Sequence, residues 1–420
     1  MSVSTSVSAS GFALIEQSAS SQGLSYAGAA ASTEDASVMW FNVAGMAKIL
    51  GSQVIVGGHI ISPTAKFTNE GTTGVTGPGQ AGLLSGSGDD GAKVGYVPNL
   101  YWKTQVGRDH FGVGFNVPFG QHISYDSDWV GRYVATETDL KTYNINTNWA
   151  HSVNDQLQLG LGFNAQYVDV ILEQKINQAA LGDTDANAKV TGSNWTFGYN
   201  LGLMYQPVET VNIGLSYRSE MNHNVDGQVR YNNVNSTVPV TSLGPMNQVL
   251  FDAGASADVT LPASASLAVD YQVHPSVQLL ASTTWTGWSA YDQLVVKFDN
   301  YSPDSESHQD FKDSWRYAVG AIWQATDRFK LRTGLAYDQS PVPNKESRSP
   351  RTPDSDRKWV SVGLGYAVTQ NAQIDLAYSH LFADRSQVDY TSKSSLGDTQ
   401  LKGYYDSSVN IVSAQFVWRY

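Results

Sequence analysis

The 420-residue chain contains no cysteine, few charged residues and no long apolar run. Without cysteine it can form neither a disulfide framework nor a thiolate metal site. Charged residues make up 15% of the chain, against roughly 25% in ordinary globular domains. No stretch approaches the roughly 18–20 consecutive apolar residues of a transmembrane helix. These absences exclude a disulfide-stapled secreted module and a helical membrane protein.

Net charge and the motifs that are missing argue against several classes of function. The formal charge is -12 and the pI is about 5.0, which is the wrong sign for a nucleic-acid surface. The eight histidines lie in no zinc or nucleophile motif, and the chain has no nucleotide-binding loop. We therefore expect no nucleic-acid partner, no cofactor, no bound metal and no enzyme activity.

The chain is instead rich in aromatic residues and in strands of alternating polarity. Near the C-terminus Phe416, Trp418 and Tyr420 point one way, while Gln415 and Arg419 point the other. This period of two is typical of a half-exposed strand. An apolar edge strand would recruit other chains, whereas a closed membrane barrel has no edge and needs an apolar, aromatic-capped outer face. Composition alone leaves a soluble β-sandwich or propeller as the alternative.

Fourteen strand-like segments with alternating short and long connections favour a barrel. A propeller would instead repeat a signature every ~40–50 residues, and none is visible. Hairpins of one barrel give short turns at one rim and long loops at the other. We predict an all-β fold, a 14-stranded antiparallel transmembrane β-barrel formed by residues 53–420. The predicted strands are 53–68, 94–103, 111–119, 139–153, 157–173, 193–207, 211–230, 257–273, 277–296, 313–325, 328–338, 358–368, 372–385 and 408–420.

The first 52 residues differ from the rest of the chain. Residues 1–10 lack the basic and apolar regions of a signal peptide, so we expect a mature chain. The segment from Gly11 to Ser52 is rich in small and apolar residues without strand alternation, and it has helical propensity in its second half. Its apolar residues are unsuited to a disordered, solvated leader, which is the alternative. We predict that residues 1–52 form an N-terminal hatch, or plug, inside the lumen.

Several motifs, spread over nearly the whole chain, resemble those of the FadL family of outer-membrane long-chain fatty acid transporters. That family also contains monoaromatic hydrocarbon uptake channels. Its usual hatch motif Asn-Pro-Ala has Val43 in place of proline here. The motifs are Gly11-Phe12-Ala13-Leu14, Asn42-Val43-Ala44-Gly45, Tyr217-Arg218-Ser219-Glu220, Trp285-Thr286-Gly287-Trp288-Ser289, residues 332–343 and residues 353–359.

The resemblance implies passive transport of a hydrophobic ligand by a monomer among the lipids of a Gram-negative outer membrane. Long-chain fatty acids are the favoured ligands, and monoaromatic or other neutral hydrocarbons are the alternative. An inward kink in the third strand would open the wall sideways into the bilayer. An apolar ligand gains roughly 0.8 kcal/mol per buried CH₂, which the water-filled pore of a hydrophilic porin does not offer. A porin would also lack the apolar hatch.

The resemblance further implies an apolar groove between the third and fourth long loops. Apolar residues cluster in these loops although the loops should face water, and such clusters usually mark an interaction site. Packing of the two loops against each other is the alternative. The groove candidates are Ile176, Ala180, Leu181, Val240, Leu243, Met246, Leu250 and Phe251.

A deeper pocket is expected near the hatch. Two apolar side chains of the N-terminus could fill it when ligand is absent, and a ligand carboxylate would favour a nearby cation. The resemblance matches Lys312 and Asp338 to family positions, but Asp169 stands where the family has a basic residue. Ordinary ion pairing in the lumen is the alternative. The deep-pocket candidates are Phe12, Leu14, Lys312, Arg316, Arg332 and Asp338.

Proline and glycine in the third strand predict a break in its ladder. Proline cannot donate to a ladder, and glycine weakens one. A strand that simply ends at Pro118 is the alternative, whereas the resemblance implies a lateral gate in contact with the hatch. The gate candidates are Asn116, Pro118, Phe119 and Gly120 in the wall, and Asn42, Ala44 and Gly45 in the hatch.

Overall fold

The computed structural model describes residues 11–237, 239–241 and 244–420, and of residues 239–241 and 244 only the backbone. The first ten residues, predicted to belong to the hatch, therefore lie outside the described part. In the described part no helix is long and apolar enough to cross a membrane.

Fourteen antiparallel strands close into a barrel, which confirms the predicted fold. The first strand pairs with the last along the whole of its own length, from Gln53 opposite Arg419 to Asn69 opposite Gly403. Three strands consist of two segments. The strands are β1 Gln53–Asn69, β2 Gly95–Val106, β3 Asp109–Asn116 with Gly120–Ser124, β4 Glu137–Ser152, β5 Leu157–Ile176, β6 Ala186–Val208, β7 Val211–Arg218 with Met221–Asn232, β8 Ala253–Leu261 with Ser264–His274, β9 Val277–Thr286, β10 Ser314–Gln324, β11 Phe329–Asp338, β12 Arg357–Ala367, β13 Ala372–Ala383 and β14 Thr399–Arg419.

One rim of the barrel carries tight turns and the other carries long loops, as the alternating connection lengths predicted. The loops contain further short strands, such as the hairpin of Thr73–Gly77 and Gln80–Leu83, and a hairpin of Gln293–Phe298 and Ser305–His308 that extends the wall above β9. The strand Ser386–Ser392 pairs with the upper part of β14.

Alternate residues of each strand face outward and form two aromatic girdles. Exposed tryptophans near the tight turns are Trp102, Trp149, Trp323 and Trp418. Exposed aromatic residues nearer the loops are Tyr96, Trp195, Trp315 and Tyr378. Aromatic side chains suit the two interfaces of a bilayer because they are apolar with a polar tip. Their arrangement is that of a wall which faces lipid.

The hatch fills the lumen with short helices and turns. It contains α1 (Ala19–Gln22) and α2 (Val38–Phe41), followed by a 3₁₀ helix over Val43–Lys48. Ser18 caps α1, since its side chain accepts from the Ser21 amide. Nearly every described residue of the hatch before Lys48 is buried or half-buried, as expected for a plug.

The hatch backbone fits against the wall at glycines. A Cβ added to Gly214 would lie 1.8 Å from the carbonyl oxygen of Ala30. A Cβ added to Gly334 would lie 2.0 Å from the carbonyl oxygen of Leu24. Any side chain at these two wall positions would push the hatch away, so glycine allows the close approach.

Buried charges anchor the middle of the hatch. The Glu34 carboxylate lies 2.6 Å from Nη2 of Arg332 on β11, and Arg332 Nη1 lies 2.9 Å from Asp375 on β13. Burial alone would raise the pKa of Glu34, but Arg332 and Lys330 beside it hold that pKa well below its usual range. Gln415 of β14 also accepts from the Ala19 amide at 2.9 Å. This part of the hatch is therefore fixed to the wall.

Candidate functional site

The wall is parted between β2 and β3. In the described residues, the β2–β3 ladder stops at Leu100 opposite Phe115. Strand β3 ends at Asn116 and resumes at Gly120, and both of its segments pair with β4. We call residues 117–119, which include Pro118 and Phe119, the wall break. It lies where the proline and glycine of the sequence indicated an interruption.

The N-terminal segment, residues 11–17, fills the wall break. The Leu14 amide donates to the Pro118 carbonyl at 2.7 Å, and the Gly120 amide donates to the Phe12 carbonyl at 3.0 Å. The backbone groups left free by the missing β2–β3 ladder are thus satisfied by the hatch. The wall is therefore closed at this point by a piece of the hatch rather than by a neighbouring strand.

A polar network holds the same segment against β2 and β3. The Tyr101 hydroxyl donates to the Gln17 carbonyl at 2.7 Å. Asn116 Nδ2 donates to the Tyr101 hydroxyl at 2.6 Å and to Gln17 Oε1 at 3.1 Å. Gln17 Nε2 donates to the Val117 carbonyl at 2.8 Å. Asn116, a gate candidate, therefore binds the N-terminal segment directly.

Asn42, Ala44 and Gly45 were predicted to lie beside the wall break. Asn42 lines one cavity together with Pro118 and Phe119, but the contacts of this motif described here are with β5 and β6. Asn42 Nδ2 donates to the Leu203 carbonyl of β6 at 3.0 Å. A Cβ added to Gly160 of β5 would lie 2.4 Å from the Ala44 nitrogen. The small residues of this motif therefore pack on β5 and β6, because glycines in those strands leave room for the hatch backbone there.

Two cavities lie in series inside the barrel. The outer cavity, nearer the long loops, has a volume of about 760 Å³ and is lined mainly by apolar residues. The inner cavity, of about 1140 Å³, reaches both the wall break and the hatch. Leu14, Asn42, Arg316 and Asp338 line the inner cavity, as does Phe119.

An aromatic septum separates the two cavities. The Phe12 ring lies edge-on to Trp288, with centroids 4.8 Å apart, and to Phe119, with centroids 6.1 Å apart. Phe12 lines the outer cavity, whereas its neighbour Leu14 lines the inner one. The N-terminal segment therefore closes both the passage between the cavities and the wall break.

Arg218 gives the inner cavity an unusual cation. Its guanidinium donates to Asn164 Oδ1 at 2.8 Å and to the Trp40 carbonyl at 2.7 Å, and it stacks on the Trp40 ring at 3.6 Å. Within residues 11–237, 239–241 and 244–420 it forms no ion pair with a carboxylate. Arg218 appeared in the sequence only as part of a family motif, and no local signal showed that it would lack a counter-charge.

A second cationic position lies across the inner cavity. Arg316 faces Asp338 in the β10–β11 register, and its Nη2 donates to the Ser25 carbonyl at 2.7 Å. Burial raises the pKa of Glu16, in the N-terminal segment, to about 7, while Arg357 and Arg316 oppose that rise. Charges at this end of the cavity are thus balanced by the protein itself.

Two cation candidates lie away from both cavities. Arg332 pairs with Glu34 and Asp375, so it anchors the hatch. The Lys312 side chain is exposed, and its backbone amide donates to the Pro341 carbonyl at 2.9 Å. These two residues are not brought to the inner cavity, because the first is neutralised by the hatch and the second precedes β10.

The loop residues predicted to form a groove differ in burial, and the two loops that carry them are hydrogen-bonded to each other, for example from the Asn235 amide to Gln178 Oε1 at 2.7 Å. Ile176 ends β5, Ala180 and Leu181 lie in a 3₁₀ turn, Met246 is buried, Leu250 is half-buried and Phe251 is exposed. None of these six lines the inner or outer cavity. Val240 and Leu243 lie outside the residues whose side chains are described.

The outer cavity is instead built from strand residues that sequence reasoning missed. Its apolar lining comes from lumen-facing positions near the loop ends of the strands, such as Leu140, Val170 and Leu172. In β5 Val170 and Leu172 alternate with outward-facing Asp169 and Ile171, so the period of two in the sequence already indicates which residues face the lumen. An apolar residue on the lumen face of a strand would have indicated the lining.

Comparison with known proteins agrees with this architecture. The profile of the outer membrane protein transport protein family (OMPP1/FadL/TodX) matches residues 1–420. The long-chain fatty acid transport protein of Escherichia coli K12 is 28% identical over 414 residues, which cover 90% of this chain and 89% of that protein. Outer membrane protein P1 of Haemophilus influenzae is 30% identical, with 89% and 86% covered.

Solved structures share the fold. A Pseudomonas aeruginosa FadL homologue superposes with a TM-score of 0.89 at 24% identity, covering 97% of this chain and 99% of that one. The Ralstonia pickettii toluene transporter TbuX superposes with a TM-score of 0.67 at 18% identity, covering 95% and 97%. With a family profile matched over its whole length, the chain belongs to the outer membrane protein transport protein family (OMPP1/FadL/TodX) and is a β-barrel of the Gram-negative outer membrane.

Proposed function

We propose that this protein carries hydrophobic compounds passively across the outer membrane, without catalysis, and that long-chain fatty acids are its main ligands. The observation that carries the proposal is the pair of cavities in series, which ends at a parted wall. The curated relatives named long-chain fatty acid transport protein support the ligand class. In this proposal residues 1–52 act as the hatch, and residues 53–420 form the barrel of a monomer among outer-membrane lipids.

The route runs from the outer cavity to the bilayer. Ligand enters between the long loops, passes the septum at Phe12, occupies the inner cavity and leaves through the wall break. Apolar lining favours each step, since every buried methylene of the ligand gains roughly 0.8 kcal/mol. The loop residues Ile176, Ala180, Leu181, Met246, Leu250 and Phe251 would guide ligand to the entrance rather than hold it.

A ligand carboxylate is favoured by Arg218, which has no carboxylate partner in the part of the chain that the structure describes. A guanidinium kept from bulk water costs free energy unless an anion compensates it. Arg218 lines the inner cavity with part of its surface open to it. A fatty acid would bring its carboxylate to this group and lay its chain along the apolar lining. The inner cavity would then provide both the cation that binds the carboxylate and the apolar surface that binds the acyl chain.

Neutral monoaromatic hydrocarbons are the second candidate ligands. The inner cavity is also lined by the aromatic side chains of Tyr26, Trp40 and Phe41, which can pack on a flat ring. Binding of oleate and of toluene to the purified protein separates the candidates. Failure of both compounds to bind would contradict the transport proposal itself.

The lateral exit is tested at Gly120, whose amide holds the N-terminal segment. Replacing Gly120 with Lys puts a charged chain at the opening, and we expect oleate uptake to be lost in cells that lack another transporter. Gly77→Lys is the matched control, because Gly77 lies in an exposed loop hairpin with only Gln80 nearby. Normal uptake by a properly inserted Gly120→Lys barrel would rule out the lateral route.

A further inference from the structure

A polar cluster lies on the side of the β3–β4 ladder that faces away from the outer cavity. His122 is directly opposite Asp139 in this ladder, and Glu137 precedes Asp139 by two residues. The period of two puts all three side chains on one face. Thr138 and Leu140, on the other face, line the outer cavity. The cluster is therefore separate from the ligand path.

The three side chains meet closely enough to share an ion. One ligand atom from each lies within 4.8 Å of the others. His122 Nε2 is 3.7 Å from Glu137 Oε1. The side chains of His122, Glu137 and Asp139 are 17%, 27% and 8% exposed, respectively. The site is thus sheltered from solvent but still reachable by a small cation.

Two buried atoms of the cluster have no hydrogen-bond partner among the described residues. They are Asp139 Oδ1 and His122 Nδ1. Buried polar atoms in folded proteins almost always have a partner, so an unmet one within a group of potential ligands calls for an explanation. Asp139, more than nine-tenths buried, offers an acceptor that no described donor uses.

We propose that His122, Glu137 and Asp139 bind one divalent transition-metal ion. One imidazole nitrogen and two carboxylate oxygens form a donor set that suits Zn²⁺ or its neighbours in the first transition row, with water in the remaining position. The sequence showed no metal motif because the ligands come from two strands. Only the β3–β4 register brings His122 to the carboxylates.

Charged side chains surround the cluster, and a bound ion must displace the one that already pairs with a proposed ligand. Lys141 Nζ lies 2.5 Å from Asp139 Oδ2, and Lys189 Nζ lies 2.5 Å from Glu173 Oε1. The ion replaces the Lys141 ammonium at Asp139, and Lys141 can turn to Asp169, its partner position in the β4–β5 ladder.

The ion would reinforce the wall beside the opening. The second segment of β3, Gly120–Ser124, pairs with β4 on one side. On its β2 side, the described residues form one isolated bridge with this segment, between Ile123 and Ala92. A metal that joins His122 to two residues of β4 would therefore fix this segment when the N-terminal segment moves away from the break.

Titration of chelator-stripped, detergent-solubilised full-length protein with Co²⁺ tests the proposal. We expect saturable binding of one ion per chain with visible d–d absorption, displaced by Zn²⁺. His122→Ala and Asp139→Asn should each weaken binding at least about tenfold, the smallest loss that even outer-shell changes usually cause. His274→Ala, at an exposed histidine of a tight turn, is the matched control and should bind as the wild type does.

Lys141→Met distinguishes an ion site from a structural ion pair. Removing the competing ammonium should tighten Co²⁺ binding, whereas damage to the wall would weaken it. Heat-modifiable migration on gels verifies that each variant barrel is folded. The proposal is overturned if the wild type shows no saturable Co²⁺ spectrum. It is also overturned if His122→Ala and Asp139→Asn bind Co²⁺ as tightly as the wild type does, or if folded Lys141→Met binds Co²⁺ more weakly than the wild type.

Discussion

Replacing Arg218 with Met should separate charged from neutral ligands. The guanidinium has five N–H donors, of which Asn164 and the Trp40 carbonyl each take one at 2.8 and 2.7 Å. The remaining donors are available to a ligand in the inner cavity. Methionine keeps much of the apolar stem and removes the charge, so the cavity shape changes little while its only uncompensated cation among the described residues disappears.

The expected loss follows from the strength of one charge-assisted contact. A hydrogen bond to a charged group contributes about 1.5–3 kcal/mol, and 1.4 kcal/mol corresponds to about a tenfold change in affinity. Oleate should therefore bind to Arg218→Met about 10- to 150-fold more weakly. Methyl oleate and toluene carry no charge, and their affinities should stay the same or improve.

The assay is displacement of a fluorescent fatty acid from the purified protein in detergent. Arg230→Met is the matched control, because Arg230 lies on the same strand but is exposed. Loss of the stacking on Trp40, worth up to about 2 kcal/mol in a desolvated site, is followed separately as a change in Tm. If oleate and its methyl ester lose affinity equally, the guanidinium does not recognise the carboxylate and the reasoning is refuted.

Two further outcomes are expected of the N-terminal segment. Phe12→Ala should speed ligand entry in stopped-flow binding, because removing the ring opens the septum beside Trp288; an unchanged entry rate would contradict this. Glu16 has a pKa raised to about 7 by burial, so its protonated form favours the docked segment. This stabilisation of the docked segment is complete below about pH 4.3, the ordinary pKa of a glutamate. It is lost as the pH rises from there to about 7, so proteolysis of the segment should increase over this range. A Glu16→Gln variant should lose this pH dependence.

The barrel could be predicted because the sequence pattern of each strand is local and does not depend on distant contacts. Alternation in a single strand tells which residues face lipid, and the turn residues between strands set the connections without knowledge of distant contacts. Where a strand passes beyond the bilayer this signal fades. β14 begins at Thr399, well before the predicted position 408, because its upper part pairs with Ser386–Ser392.

The site was less predictable because it depends on distant pairings. The hatch contact was expected at Asn42, yet the segment from Phe12 to Gln17 meets the wall break, since glycine positions in β5 and β6 draw Asn42 elsewhere. In the same way, Arg332 and Arg218 look alike in sequence. The carboxylates of Glu34 and Asp375 beside Arg332 distinguish this anchor of the hatch from Arg218, the proposed ligand-binding cation.

In the proposed route, one displacement of the N-terminal segment opens both the aromatic septum and the wall break, so the length of the ligand should decide whether the path opens. Displacing only Phe12 to Leu14, with the Gln17 hydrogen bonds left in place, breaks two backbone hydrogen bonds at the wall break, worth about 0.5–1.5 kcal/mol each. It also uncovers the buried side chains of Phe12 and Leu14, at about 1.5–3 kcal/mol each. Ligand can drive the change only by binding the open form better. At roughly 0.8 kcal/mol per methylene, about five to eleven methylenes offset the sum. A long acyl chain exceeds this requirement comfortably, whereas a small aromatic ring only approaches it.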